Sequence, residues 1–184
     1  SSTFVLKDPT VDFAVLECAR GGILKAGLAF QNCDVGIVTN VAADHIGLGG
    51  IYTVEQMAKV KAVVPETVFP HGYAILNAED DLVYAMKDDL KCNIGLFSMD
   101  ENNPRIKEHC AAGGLSTVYE NGFVTIMKGT WKIRVMAAKD IPLTYEGKAV
   151  HNIANCLPAV LATYLYRDIT IDDMVSYKNL TAGK

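Results

Sequence analysis

The sequence predicts an α/β fold: a mainly parallel sheet flanked by helices, with a small antiparallel β extension. Three observations carry this. The runs DVGIVTN (34–40), YAILN (73–77) and NIGLFSM (93–99) are nearly all apolar at their centres, as strands covered on both faces are. Helical patterns lie between these runs, which implies βαβ units. After Pro104 the texture changes, and Asn121-Gly122 sits between two alternating runs, the strongest short hairpin signal.

In chain order, residues 1–10 read as the end of something longer. DFAVLEC (12–18) is predicted as a strand ending near Glu17, and ARGGILKAGL as a glycine turn that opens a helix. After the 34–40 strand comes a polar loop holding Asp44 and His45. Thr53 and Gln56 then form a T-x-x-Q capping box, so a helix is expected to start near Val54. Pro65 disfavours helical geometry at Val64 and is expected to end it. Val54, Met57, Ala58 and Val64 mark its apolar stripe, and position 61 falls on that stripe as a lysine, whereas Lys59 falls off it. Residues 80–91 have helical spacing. WKIRVMAA (131–138) adds a strand to the hairpin region. HNIANCLPAVLATYLY (151–166) is an apolar helix in which Pro158 predicts a kink or late start. Thr170 and Asp173 suggest the cap of a last helix.

Of 184 residues, half are hydrophobic and about a fifth charged, with a net charge of -4 and no basic run. That balance argues against nucleic acid as the main partner. No apolar run is long enough to span a membrane, and the first residues lack the basic and apolar regions of a signal peptide. The five cysteines (Cys18, Cys33, Cys92, Cys110, Cys156) are scattered and odd in number. They read as free thiols in a reducing cytoplasm.

The chemistry gathers at strand ends. Three consecutive predicted strands finish at Glu17, at the 40–45 loop and at Asn77, and adjacent parallel strands put such ends on one rim, where ligands of open α/β sheets bind. A carboxylate, an imidazole and an inward lysine there suit a hard cation and a phosphate, since magnesium takes few protein ligands and completes its shell with phosphate and water. A buried, neutral Lys61 amine can also combine with carbon dioxide, giving an anionic carbamate. Taken singly, each residue is more often a cap, a surface charge or a snorkelling side chain.

The order L-E-x-A-R-G-G-I-L (16–24), T-N-x-A-x-D-H (39–45), K-A-V-V-P-E (61–66), L-N-x-E-D (76–80) and H-N-x-x-N (151–155) resembles the central domain of the Mur ligase superfamily over nearly the whole chain. The resemblance implies an ATP-binding, P-loop-NTPase-like domain over residues 1–184, with ATP and Mg2+ as cofactors. It implies that Glu17 and His45 hold magnesium, that Lys61 is carbamylated, and that all three serve catalysis. Asn77 and Asp80 would match a nucleotide-site stretch, with Glu79 in its third position. His151, Asn152 and Asn155 would lie near adenine, at a helix start whose free N–H groups face the ligand. ARGGIL (19–24), AADHIGLGG (42–50) and VKAVVPE (60–66) resemble most the branch of the superfamily that joins arginine to the aspartate side chains of a polymer. That implies arginine and the polymer as substrates, and a homo-oligomeric parent enzyme.

No G-x-x-G-K-[ST] stretch occurs; Gly21-Gly22 and Gly49-Gly50 lack the following Lys-Ser/Thr. The expectation is a domain without its upstream P-loop segment and without the carboxy-terminal domain that follows, inactive alone. Another Mur-type ligase, folylpolyglutamate or muramyl-peptide, is the neighbouring reading, and ARGGIL argues against it. A non-catalytic scaffold or oligomerisation domain is the rival from a different class.

Overall fold

A computed structural model describes residues 2–42, 47 and 50–167. Asp44, His45 and the 170–173 cap lie outside them. The elements are α1 (Ser2–Lys7), α2 (Arg20–Ala26), β1 (Cys33–Val38), α3 (Val54–Glu66), β2 (Val68–Asn77), α4 (Asp81–Ala85) continued by a 3-10 turn (Met86–Asp89), β3 (Asn93–Ser98), α5 (Pro104–Ala111), β4 (Leu115–Glu120), β5 (Phe123–Lys128), β6 (Trp131–Ala137), two short 3-10 turns (Ala138–Asp140 and Pro142–Thr144) and α6 (Val150–Arg167).

One six-stranded sheet runs in the order β1-β2-β3-β4-β5-β6. The first four strands are parallel and the last two antiparallel, which is the predicted parallel sheet with its antiparallel extension. Each parallel step moves the same way across the sheet through one helix, and crossovers of one hand then place every such helix on one face. The packing agrees. Met57 and Ala58 of α3, Val83 of α4, and Ile106 and Cys110 of α5 meet Val38, Leu76, Leu96 and Val118 in one core. On the other face α6 lays Leu157, Val160 and Leu161 on Ile75, Phe97, Val124 and Ile126. Ile153, Leu157 and Leu161 are fully buried at one-turn spacing, each worth about 1.5–3 kcal/mol.

Local chemistry explains most boundaries. Thr53 and Gln56 form the reciprocal cap that starts α3 at Val54. Asn103 caps α5, whose first residue is Pro104; the sequence reading did not find this helix. Gly122 takes φ +86° in the β4–β5 turn, after Asn121 at +49°, the double left-handed geometry that an Asn-Gly hairpin requires.

Three expectations are corrected. Residues 12–18 alternate in burial from Phe13 on but join no ladder of the described sheet; period-two patterning places a chain beside a core without supplying a neighbour to bond. Pro65 lies inside α3, which ends one residue later at Glu66, because a proline in the final turn removes a single hydrogen bond. The late start expected at Pro158 is not seen: α6 begins at Val150, before the expected start, and continues through Pro158. There the buried apolar face outweighs the lost bond to the Ala154 carbonyl.

Candidate functional site

β1 and β2 are parallel neighbours, so their carboxyl ends share a rim. Beyond β1 the chain is fastened at three successive residues. Asn77 Nδ2 donates to the Thr39 carbonyl at 2.8 Å, Lys61 Nζ to the Asn40 carbonyl at 2.6 Å, and the Val41 amide donates to Asp80 Oδ2 at 2.6 Å. Asp80 Oδ1 also caps α4, accepting from the amides of Leu82 and Val83. Asn77 Oδ1 accepts from the Glu79 amide. Glu79 in turn braces the loop after β3, its Oε1 accepting from Ser98 Oγ and from the amides of Met99 and Asp100. The L-N-x-E-D stretch therefore shapes the rim by holding backbone. The sequence assigns Asn77 and Asp80 to ligand; the signal for the clamp is that Asn77 ends, and Asp80 follows, the strand lying beside β1.

The helix phase puts Lys61 half-buried against this loop, with Lys59 exposed. A cavity of about 940 Å³ opens beside β1, and Glu17, Thr39, Asn40 and Lys61 all line it. Glu17 makes no hydrogen bond or ion pair among the described residues. The thiols of Cys18 and Cys33 border the same cavity. Burial pushes both up, and the charge of Glu17 adds to the effect on Cys18. Both stay protonated at neutral pH, which makes them poor nucleophiles.

His151, Asn152 and Asn155 stand apart from the cavity lining. His151 and Asn155 are exposed, and Asn152 Nδ2 donates to the Leu143 carbonyl at 2.6 Å. Along α6, Asn155 is seven residues from Ala162, which does line the cavity, or roughly 10 Å of helix. The structure thus brings Glu17, Asn40 and Lys61 together, sets Asn77 and Asp80 behind them, and leaves the H-N-x-x-N stretch a short way off. His45 lies outside the described residues. No three His, Cys, Asp or Glu side chains converge as a metal cage among the described residues. Glu17 shares the cavity lining with Asp12 and Asp34, and a carboxylate there suits a magnesium held mostly by phosphate and water.

The model of the Mur ligase middle domain matches residues 1–163. The chain belongs to that family. Relatives of this Mur ligase middle domain include the cyanophycin synthetase of Synechocystis sp., 56% identical over 165 residues that cover 90% of this chain and 19% of that one. The cyanophycin synthetase of Geminocystis herdmanii is 52% identical over 166 residues, again 90% and 19%. The chain spans about a fifth of the length of the curated relatives it matches. Among solved structures, MurF from Acinetobacter baumannii aligns with a TM-score of 0.47 at 16% identity, over 82% of this chain and 29% of that one.

Proposed function

We propose that this domain belongs to an ATP-dependent amide-bond-forming ligase of the cyanophycin synthetase type, which adds arginine to the aspartate side-chain carboxylate of a poly-aspartate backbone. The 56% identity over nine-tenths of the chain carries this reading. In the reaction the aspartate carboxylate takes the γ-phosphoryl group and ADP leaves. The arginine amine then attacks the acyl carbon and phosphate departs. Positioning and electrostatics provide most of the catalysis of such a phosphoryl step.

Glu17 and His45 are proposed as magnesium ligands, and Lys61, as its carbamate, as the anion that orients them. Bound magnesium supplies positive charge against the transferring phosphoryl group. Asn77 and Asp80 keep the loop after β1 in register, and His151, Asn152 and Asn155 serve the adenine side. The full-length parent enzyme, purified and given ATP, Mg2+, arginine and a poly-aspartate primer, is expected to incorporate arginine in step with ADP release. ADP release that depends on a muramyl or folyl acceptor, or on no acceptor tried, would overturn the reading.

A further inference from the structure

A second, smaller concavity lies on the other flank of α3. This groove of about 280 Å³ runs between α3 and α4 with its 3-10 turn. Ala58, Ala62, Leu82, Ala85, Met86 and Leu90 give it an apolar floor. The carboxylates of Glu55, Glu66 and Asp89 line it too, with one ammonium, that of Lys59. Glu66 and Asp89 are exposed, and neither makes a hydrogen bond or ion pair among the described residues. An α-helix turns about 100° and rises about 1.5 Å per residue. Glu55, Lys59, Ala62 and Glu66 therefore share one flank of α3, with Glu55 and Glu66 roughly 16 Å apart along it. Met57, Lys61 and Val64, which line the cavity beside β1, fall on the opposite flank. One helix thus divides the two concave surfaces.

We infer that the groove holds the arginine-bearing side chains of the polymer, as an anchoring site outside the cavity. The inference rests on reading the parent as a ligase that loads arginine onto aspartate. An arginine joined through its amine keeps an aliphatic stem, a guanidinium at its tip and a free α-carboxylate at its base. The apolar floor suits the stem. The guanidinium meets the carboxylates with a donor fork that an ammonium lacks. Lys59 is the complement of the α-carboxylate. A plain apolar helix would bury the charges of the rim without partners, and a nucleic acid would meet three carboxylates. Bare poly-aspartate has neither stem nor guanidinium, so the groove holds the chain only where arginine has been added. The way round α3 from groove to cavity is half the circumference of a helix, roughly 16–19 Å, or about five or six extended residues. A growing polymer spans both, and a second hold on one chain raises the local concentration of its unreacted end.

Binding is measured on the full-length parent without ATP, by the fluorescence anisotropy of a labelled arginine-loaded polymer at least about ten residues long. Glu66→Gln/Asp89→Asn and, separately, Ala85→Trp, which fills the groove from an exposed position, are each expected to weaken this binding roughly three- to tenfold. Bare poly-aspartate of the same length is expected to bind both variants as it binds the parent. In arginine incorporation both variants are expected to raise KM for the long loaded polymer by the same factor with kcat unchanged. A loaded primer of about three residues, too short to reach both sites, is expected to show no change. Unchanged binding of the long polymer in either folded variant would overturn the inference, whether the groove is empty or filled by another part of the parent. So would an equal loss for bare poly-aspartate, or equal affinity for poly-lysine of the same length. A parent that adds arginine to no primer would refute the ligase reading, while the anisotropy still decides the groove. All three substituted positions are exposed, and a variant that fails to fold leaves the other to decide.

Discussion

Lys61 is half-buried and its ammonium donates to a carbonyl, a charge-assisted bond worth about 1.5–3 kcal/mol. It fastens Asn40 from a helix whose other nearby lysine points to water. In the full-length enzyme, Lys61→Ala is expected to lower ligation by at least about a hundredfold, while Lys59→Ala leaves it nearly unchanged. If a carbamate acts there, added acetate partly restores the Lys61→Ala enzyme, because a small carboxylate replaces the lost anion. Equal losses from both substitutions in an arginine-incorporation assay would remove any special role for position 61. Gly72 sets the geometry from the other side of the sheet's edge pair. A Cβ there would stand 2.3 Å from the Asp34 carbonyl oxygen, beside the register shift between Cys33 and Val35 where β1 meets β2. Backbone cannot step aside as a side chain can. Gly72→Ala is expected to destabilise the chain by about 1–3 kcal/mol, and a denaturant midpoint equal to wild type would show that the edge pair shifts freely.

At the scale of elements, the β4–β6 extension is joined across its strands by one buried carboxylate. Glu120, 5% exposed, accepts from Lys132 Nζ and, at 3.5 Å, from Arg134 Nε. The Lys132 contact, ahead of the other causes, holds the Glu120 carboxyl below the usual carboxylate range. A carboxyl whose folded value is depressed adds stability above its unfolded value of about 4.3, and that stability is lost as pH falls through the lower folded value. Glu120→Gln is therefore expected to cost about 1–2 kcal/mol at pH 7, and the gap to wild type to close in acid below pH ~4. A gap independent of pH in thermal melts would mean that the ion pairs contribute nothing and only side-chain shape matters. Elements with a local chemical signature were legible from sequence: the α3 cap, the Asn121-Gly122 hairpin, the helical phase of Lys61. What escaped was settled by neighbours. Residues 12–18 have the pattern of a strand, but pairing depends on what lies beside them. Asn77 and Asp80 read as ligand-side groups because their chemistry allows it, and the backbone bonds they also make became legible only with β2 paired beside β1. The helix end expected before Pro65 and the late start expected at Pro158 do not occur, because tertiary burial outweighs a single lost hydrogen bond.

Across the whole molecule, burial is uneven. β2, β3 and β4 lie between a helical layer and α6, and Ala74, Ile75, Leu76 and Val118 have no exposure. The stretch before β1 is different: α2 buries no residue, and Phe4 is 81% exposed and Val15 84%. Segments with few buried contacts open at low free energy, whereas the central strands open only with the whole fold. Protease sites should then separate by region. Lys7 and Lys25 sit on exposed helical surface in the weakly buried stretch. Lys132 is tied to Glu120, and Lys128 ends β5 against β6 in a tight ladder. Brief trypsin treatment of the 184-residue chain is expected to cut first after Lys7 and Lys25 and to leave a resistant core beginning at Ala26, measured by intact mass. First cuts after Lys128 or Lys132 would place the weak region in the antiparallel extension instead. The order of cutting therefore reports whether stability in this chain follows the two helix layers packed on the parallel strands, as the distribution of buried side chains requires.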